Sequence, residues 1–420
     1  MTHKIKLFGI FTIFRKDVFE FYYECYFLGL WVGKYRKNVK GHKEEHITFD
    51  EETWYSVFCG GTKMQFPPNI HRNTIPQLPV GSVIRMNIER AIEILPNVNR
   101  IALVFFIGIG DYIHATPFVK KLKEKYSRLP FVAYVSNQFD SNNSPLVADC
   151  LRFDPNFDEI FTYNGVQNKT YWINYDYSEV VSREPETTLI LPVIYDHTPL
   201  TLSRDDALCD TFCLPRSSLV PRPIIYDIPI SDHVRETLTK VLEMVKLRNL
   251  RGVVWLQMKS RSADFSFNKC EELAIKLVNA GYFVLCVDSL DLADECCISL
   301  NLDQFRITDS IRLLQLINER MKTYCLTIAS CFMAISSAFD IPNLAISFWH
   351  DEVLKSYYYP NLYIVTHKPY YCVPRMQQFL APEEAFENDH SLYYQYKPDY
   401  LFECFQEMVE SIENPTSKST

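Results

Sequence analysis

The sequence predicts an α/β protein built from two doubly wound units in tandem, preceded by a smaller N-terminal appendage. Three observations predict it. Fully apolar strand-length runs alternate with helix-length segments from about residue 100 onward, the signature of parallel sheets covered on both faces. That rhythm stops near Pro221–Pro229 and restarts near residue 250. A length of 420 residues is too great for one core and suits two or three domains.

In the first unit, Ile101–Ile107 reads as a buried strand, Phe118–Tyr126 as a helix and Phe131–Ser136 as a second strand. Glu159–Tyr163 and Glu179–Ser182 are further short strand candidates. In the second unit, strands are expected at Gly252–Leu256, Tyr282–Val287, Thr323–Ile328 and Leu344–Phe348. Helices are expected between them at Lys269–Ala280, Ile311–Arg320 and Phe332–Phe339. Leu401, Phe402, Phe405, Met408, Val409 and Ile412 share one helical face after the start signal Pro398-Asp399. The expected division is an appendage and arm over 1–95, a first Rossmann-like unit over 96–228, a second over 229–397, and a C-terminal helix and tail over 398–420.

The appendage carries a weak repeat. Leu7-Phe8-Gly9-Ile10-Phe11 is echoed by Phe27-Leu28-Gly29-Leu30-Trp31, each followed by basic residues. Two short strands with glycine in the middle suit a hairpin-like layer packed on the body. The alternative is an interfacial patch of aromatics and cations meeting anionic lipid. The arm over 46–96 is rich in Pro and Gly, with one helix expected around Asn87–Leu95.

Composition narrows the function classes. Hydrophobic residues make up 47% and charged residues 22%, a globular balance. A net charge of −8 argues against a general nucleic-acid binder, although residues 1–43 hold nine Lys/Arg against three acids. The longest apolar runs, Cys25–Gly33 and Ile101–Gly110, fall far short of the ~20 residues a membrane span needs. With no export signal, the expected location is the cytoplasm, with peripheral contact at the inner membrane as an extension of the interfacial reading. The thirteen cysteines are scattered without a zinc spacing and read as small buried hydrophobes. No metal and no cofactor is expected.

One stretch carries chemistry. Phe106-Ile107-Gly108-Ile109-Gly110-Asp111-Tyr112-Ile113-His114-Ala115-Thr116-Pro117 follows an apolar strand and leads into a helix. Glycine there allows a tight turn and close ligand approach, and a helix start offers unpaired N–H groups. The third glycine of the dinucleotide fingerprint is missing, which disfavours an oxidoreductase. Asp111 is either a helix cap or a loop carboxylate, left free by a helix that starts at Thr116-Pro117. His114 is a structural hydrogen-bonder or a ligand contact.

This string resembles the first strand–loop–helix of glycosyltransferase family nine, the heptosyltransferases, in which an Asp after Gly is followed by apolar residues and Thr-Pro. The resemblance runs from about residue 100 to 370 and includes Ile341-Pro342-Asn343-Leu344-Ala345-Ile346. It implies a GT-B fold, two Rossmann-like domains facing a central cleft. It also implies an inverting, metal-independent transfer from a nucleotide-sugar donor to lipopolysaccharide or another surface glycan. On that resemblance Asp111 is the general base, and Gly108, Gly110, His114 and Thr116 lie on the acceptor side. Asp351 falls where the family has an Asp after the last strand.

The donor half departs from the family. Its Asp-Ser/Thr-Gly-x-x-His stretch is replaced by Ala329-Ser330-Cys331-Phe332-Met333-Ala334, which keeps only Ser330. Its lysine before Trp-Pro is Ala263 here, with Lys259 and Arg261 nearby. Either the donor differs, or Lys259, Arg261 and the helix start at Ser330 hold the diphosphate, or donor binding has been lost. Asp288, and Asp291 after it, are candidates for the nucleoside ribose. The non-catalytic alternative is a GT-B-fold binding or scaffold protein of envelope glycan assembly.

Overall fold

The computed structural model describes residues 2–7, 11–18, 22–27, 30–36, 46–47, 98–105, 108–136, 144–163, 178–185, 187–193, 208–209, 212, 214, 221–259, 267, 269–300, 305–328, 330–346, 359–366, 377–386 and 396–414. It is a mixed α/β protein with three sheets. The N-terminal sheet is an antiparallel meander of β1 (Thr2–Leu7), β2 (Phe11–Val18), β3 (Tyr22–Phe27), β4 (Leu30–Arg36) and β5 (His46–Ile47). Leu7 pairs with Phe11 and Phe27 with Leu30, so the first and last residues of the first copy, and the Phe27 and Leu30 of the second, are strand partners. Gly9 and Gly29, expected in mid-strand, lie outside the described residues. The helix expected at Asn87–Leu95 lies outside the described residues.

The second sheet is wholly parallel, in the order β8 (Glu159–Tyr163), β7 (Phe131–Ser136), β6 (Arg100–Phe105), β9 (Thr188–Val193). The third, also parallel throughout, has seven strands. Its order is β12 (Cys297–Ser299), β11 (Tyr282–Cys286), β10 (Gly252–Gln257), β13 (Thr323–Ile328), β14 (Asn343–Ile346), β15 (Leu362–Thr366), β16 (Gln377–Leu380). Eight helices are described: α1 (Ile109–Lys125), α2 (Ser144–Leu151), α3 (Ser178–Arg183), α4 (Asp232–Leu247), α5 (Cys270–Asn279), α6 (Ile307–Asn318), α7 (Cys331–Ala338) and α8 (Pro398–Glu413). None is long and apolar enough to cross a membrane.

Strand alternation divides the core. Val253 and Trp255 of β10 enter one apolar cluster, while Val254 and Leu256 enter a second on the opposite face. The second cluster is completed by α5 and α8. The first is shared by both parallel sheets. It joins Ile101, Leu103 and Phe105 of β6 to Trp255 and to Phe332 and Met333 of α7. The two units are therefore packed helix to helix through one continuous core.

Two sequence expectations need correction. Glu179–Ser182 is not a strand but lies in α3, where Glu179 and Arg183 form an i,i+4 ion pair. The adjacent Thr188–Val193 run supplies the strand. Helix α1 begins at Ile109, with Pro117 inside it, rather than after Thr116-Pro117. Proline there cannot donate to the Ile113 carbonyl four residues back. The Thr116 hydroxyl donates to that carbonyl instead, at 2.7 Å. An acid in the first turn and lysines in the last suit the helix dipole.

The segment 221–230 connects β9 to α4 and is tied to both units. Ile224 N–H donates to the Thr116 hydroxyl at 2.8 Å, and Asn156 donates to the Tyr226 hydroxyl at 2.6 Å. Arg222 pairs with Asp340 at 2.9 Å, and Asp227 lies 3.5 Å from Arg312. Thr116 is 1% exposed, so its hydroxyl is a buried latch between α1 and the connector. Thr116→Val would strand the Ile224 N–H and the Ile113 carbonyl. The expected loss is about 1–3 kcal/mol of unfolding free energy by denaturant titration. A change within error would show that the latch contributes nothing.

Candidate functional site

In open parallel sheets ligands bind at the carboxyl ends of the strands, where the strand order reverses. The four-stranded sheet reverses between β6 and β9, and α1 springs from the end of β6. The seven-stranded sheet reverses between β10 and β13, and α7 springs from the end of β13. The fold sets these two helix starts against each other. A Cβ built on Gly110, in the first turn of α1, would sit 2.8 Å from the Cys331 Cα that opens α7. The starts of α1 and α7 thus meet at one point, each bringing the positive end of its helix dipole.

The residues there are organised by a side chain the sequence reading passed over. Gln257 closes β10 and is 5% exposed. Its carbonyl accepts from the Ser330 hydroxyl, and its amide donates to the Lys259 carbonyl. Ser330 is the N-cap of α7, its hydroxyl accepting the Phe332 N–H at 3.3 Å. Gln257 therefore fixes the start of α7 and the backbone of Lys259, whose residue is exposed at the rim. A lone polar residue ending an otherwise apolar strand, Gly252-Val253-Val254-Trp255-Leu256-Gln257, was the available signal.

The predicted site residues divide into three groups. Asp111, Gly108, Gly110, Ser330 and Lys259 belong to the meeting point of the two helix starts and the Gln257 link. Gly108 is the N-cap of α1, and Asp111 is partly exposed in its first turn, so Asp111 is not the cap. Gly110 is buried against α7, and its lack of a side chain serves the helix crossing.

His114 and Thr116 form the second group, which is packed away from this point. His114 is wholly buried, with Nδ1 hydrogen-bonded to the Tyr359 hydroxyl. Thr116 latches the connector. Both side chains are buried, so neither is exposed at the helix crossing. Asp288 is also committed, since its carboxylate accepts the Met258 N–H at 2.6 Å beyond the end of β11. Arg261 and Asp351 form the third group and lie outside the described residues.

A polar network backs α1. The Tyr112 hydroxyl donates to Asp154 at 2.9 Å, and Asp154 accepts from the Asn156 backbone at 2.9 Å and from its side chain at 2.6 Å. Burial pushes the Asp154 carboxyl up from its ordinary value, and those hydrogen bonds oppose the rise. Burial, with the Asp154 charge beside it, also raises the Tyr112 phenol well above its usual range.

The class defined so far is a parallel α/β protein with two facing switch points. No protein-family model matches the chain, and no curated protein matches it by sequence. Among solved structures it is similar to a glycosyl transferase of family 9 from Veillonella parvula DSM 2008. The identity is 12% and the TM-score 0.49, over 74% of this chain and 97% of that one. It is also similar to E. coli ADP-heptose lps heptosyltransferase II, at 13% identity and TM-score 0.44, over 75% and 99%. E. coli heptosyltransferase WaaC with ADP gives 13% and 0.42, over 74% and 99%. Likenesses of this size do not assign an activity.

Because the crossing is closed against backbone, Gly110→Ala must push α1 and α7 apart. The expected cost is about 1–3 kcal/mol of stability, the scale of overpacking a tight contact. Denaturant unfolding at unchanged stability would show that the two helix starts do not touch.

Proposed function

We propose that the chain is a glycosyltransferase that moves a sugar from a nucleotide-sugar donor to a surface-glycan acceptor. The observation that carries this reading is the convergence of the Asp111 turn with the α7 start at two facing switch points. The resemblance of the 106–117 string to the heptosyltransferases supplies the chemistry. The acceptor hydroxyl attacks the anomeric carbon as the nucleoside diphosphate leaves, and Asp111 takes the hydroxyl proton. The helix starts and Lys259 offset the charge developing on the leaving diphosphate. This chemistry asks for no metal ion.

One observation favours a second reading, a non-catalytic binding protein on the same frame. Cys331 stands where the family has glycine, and its backbone is already in contact with α1. A diphosphate at the α7 start would need that contact to open.

A thermal-shift screen of ADP-, UDP-, GDP- and CMP-sugars separates the two readings. A donor at one hundred times its Kd adds about 2.7 kcal/mol of stability. With the donor so identified, Asp111→Asn should keep nucleotide affinity and lower turnover by roughly a hundredfold or more. Transfer at the wild-type rate would remove Asp111 as the base. Absence of stabilisation by any nucleotide sugar would favour the binding protein.

A further inference from the structure

Beyond the helix crossing, three metal-ligating groups converge at the end of β11. Cys286 is the last residue of the strand and packs in the second cluster, Val287 joins the first, and Asp288 follows in the bend beyond. Cys270 opens α5, which packs over that side. The two sulfurs are 3.9 Å apart, and each of the three groups offers a ligand atom within 4.8 Å of the others.

We propose that Cys270, Cys286 and Asp288 bind a thiophilic divalent cation of the zinc type, with solvent completing a tetrahedral shell. Zinc–sulfur bonds of about 2.3 Å put two thiolates about 3.8 Å apart at a tetrahedral angle, the separation already present. A disulfide requires about 2.05 Å and therefore a large closure. The surroundings orient all three ligand groups. Cys270 stands in the first turn of α5 with its sulfur toward Cys286. The Asp288 backbone N–H is directed at the Cys286 sulfur. The Asp288 carboxylate is oriented by the Met258 N–H, the kind of outer partner that fixes a metal ligand. Cys286 is fully buried and Asp288 partly exposed, so the cation enters from the carboxylate side.

The hydrogen bond to Cys270, then burial, raise the Cys286 thiol well above its ordinary value. A bound dication reverses that balance and fastens α5 to the β10–β11 edge. Asp288 then serves as a ligand rather than as the contact for a ribose.

Cobalt(II) is the probe. Titrated into the reduced full-length chain, it should bind one equivalent, with sulfur-to-cobalt charge-transfer absorption in the near ultraviolet, and zinc should displace it. Cys270→Ser and Cys286→Ser should each lose or halve that absorption, while Cys296→Ala should retain it in full. Circular dichroism checks that the variants are folded, and the wild-type titration needs no variant. Reduced wild-type protein without charge-transfer absorption at stoichiometric cobalt overturns the proposal. So does absorption that survives both serine variants. A Cys270–Cys286 disulfide formed with hydrogen peroxide, in protein whose reduced form ignores cobalt, would replace it with a redox pair.

Discussion

The contact between Gly110 and Cys331 is the constraint on which the rest of the molecule depends. It sets the distance between α1 and α7, and through them the distance between the two parallel sheets. Backbone against backbone leaves no slack, because protein interiors are packed as densely as organic crystals. Everything nearby is arranged to hold that crossing. Gln257 pins the α7 start through Ser330. Thr116 pins α1 to the connector, and Asp154 gathers Tyr112 and Asn156 behind it. A core shared across the crossing makes the two units one mechanical body, in which a shift at one helix start is felt at the other.

That arrangement bears directly on function. The proposed reaction would place its carboxylate on one unit and its anion-binding helix end on the other, so the two would have to be in register for it to occur. A tight crossing supplies that register. It also limits what enters, since a diphosphate and two helix starts cannot occupy the same space. On the proposed function, a diphosphate at the crossing would need α1 and α7 to separate slightly, against the bonds by which the connector 221–230 ties both units.

Much of the fold was legible in the sequence because parallel strands buried on both faces leave an unmistakable apolar run. Phe131–Ser136, Glu159–Tyr163 and Thr323–Ile328 have the limits their patterns predict. The failures were local and have physical causes. The α1 start was hidden by Pro117, because the compensating Thr116-to-Ile113 bond is invisible without the turn that creates it. Glu179–Ser182 is too short for its period to separate strand from helix. In the candidate site, the 106–117 string pointed to the junction of β6 with α1, but burial could not be read from it. His114 and Thr116 face packing, whereas Gln257 was missed because nothing in one strand announces its partners on two others. Cys270 and Cys286 escaped for a similar reason. Sixteen residues separate them, and only the packing of α5 on β11 brings their sulfurs together.

The central claim is that one ligand engages both helix starts at once. Hydrogen–deuterium exchange with and without the nucleoside diphosphate that binds best tests it directly. Amides at 109–112 and 331–334 should gain protection together, because an anion held at both positive helix ends steadies both first turns at once. Protection at only one of the two, or at a distant segment with both unchanged, would contradict a site at the crossing.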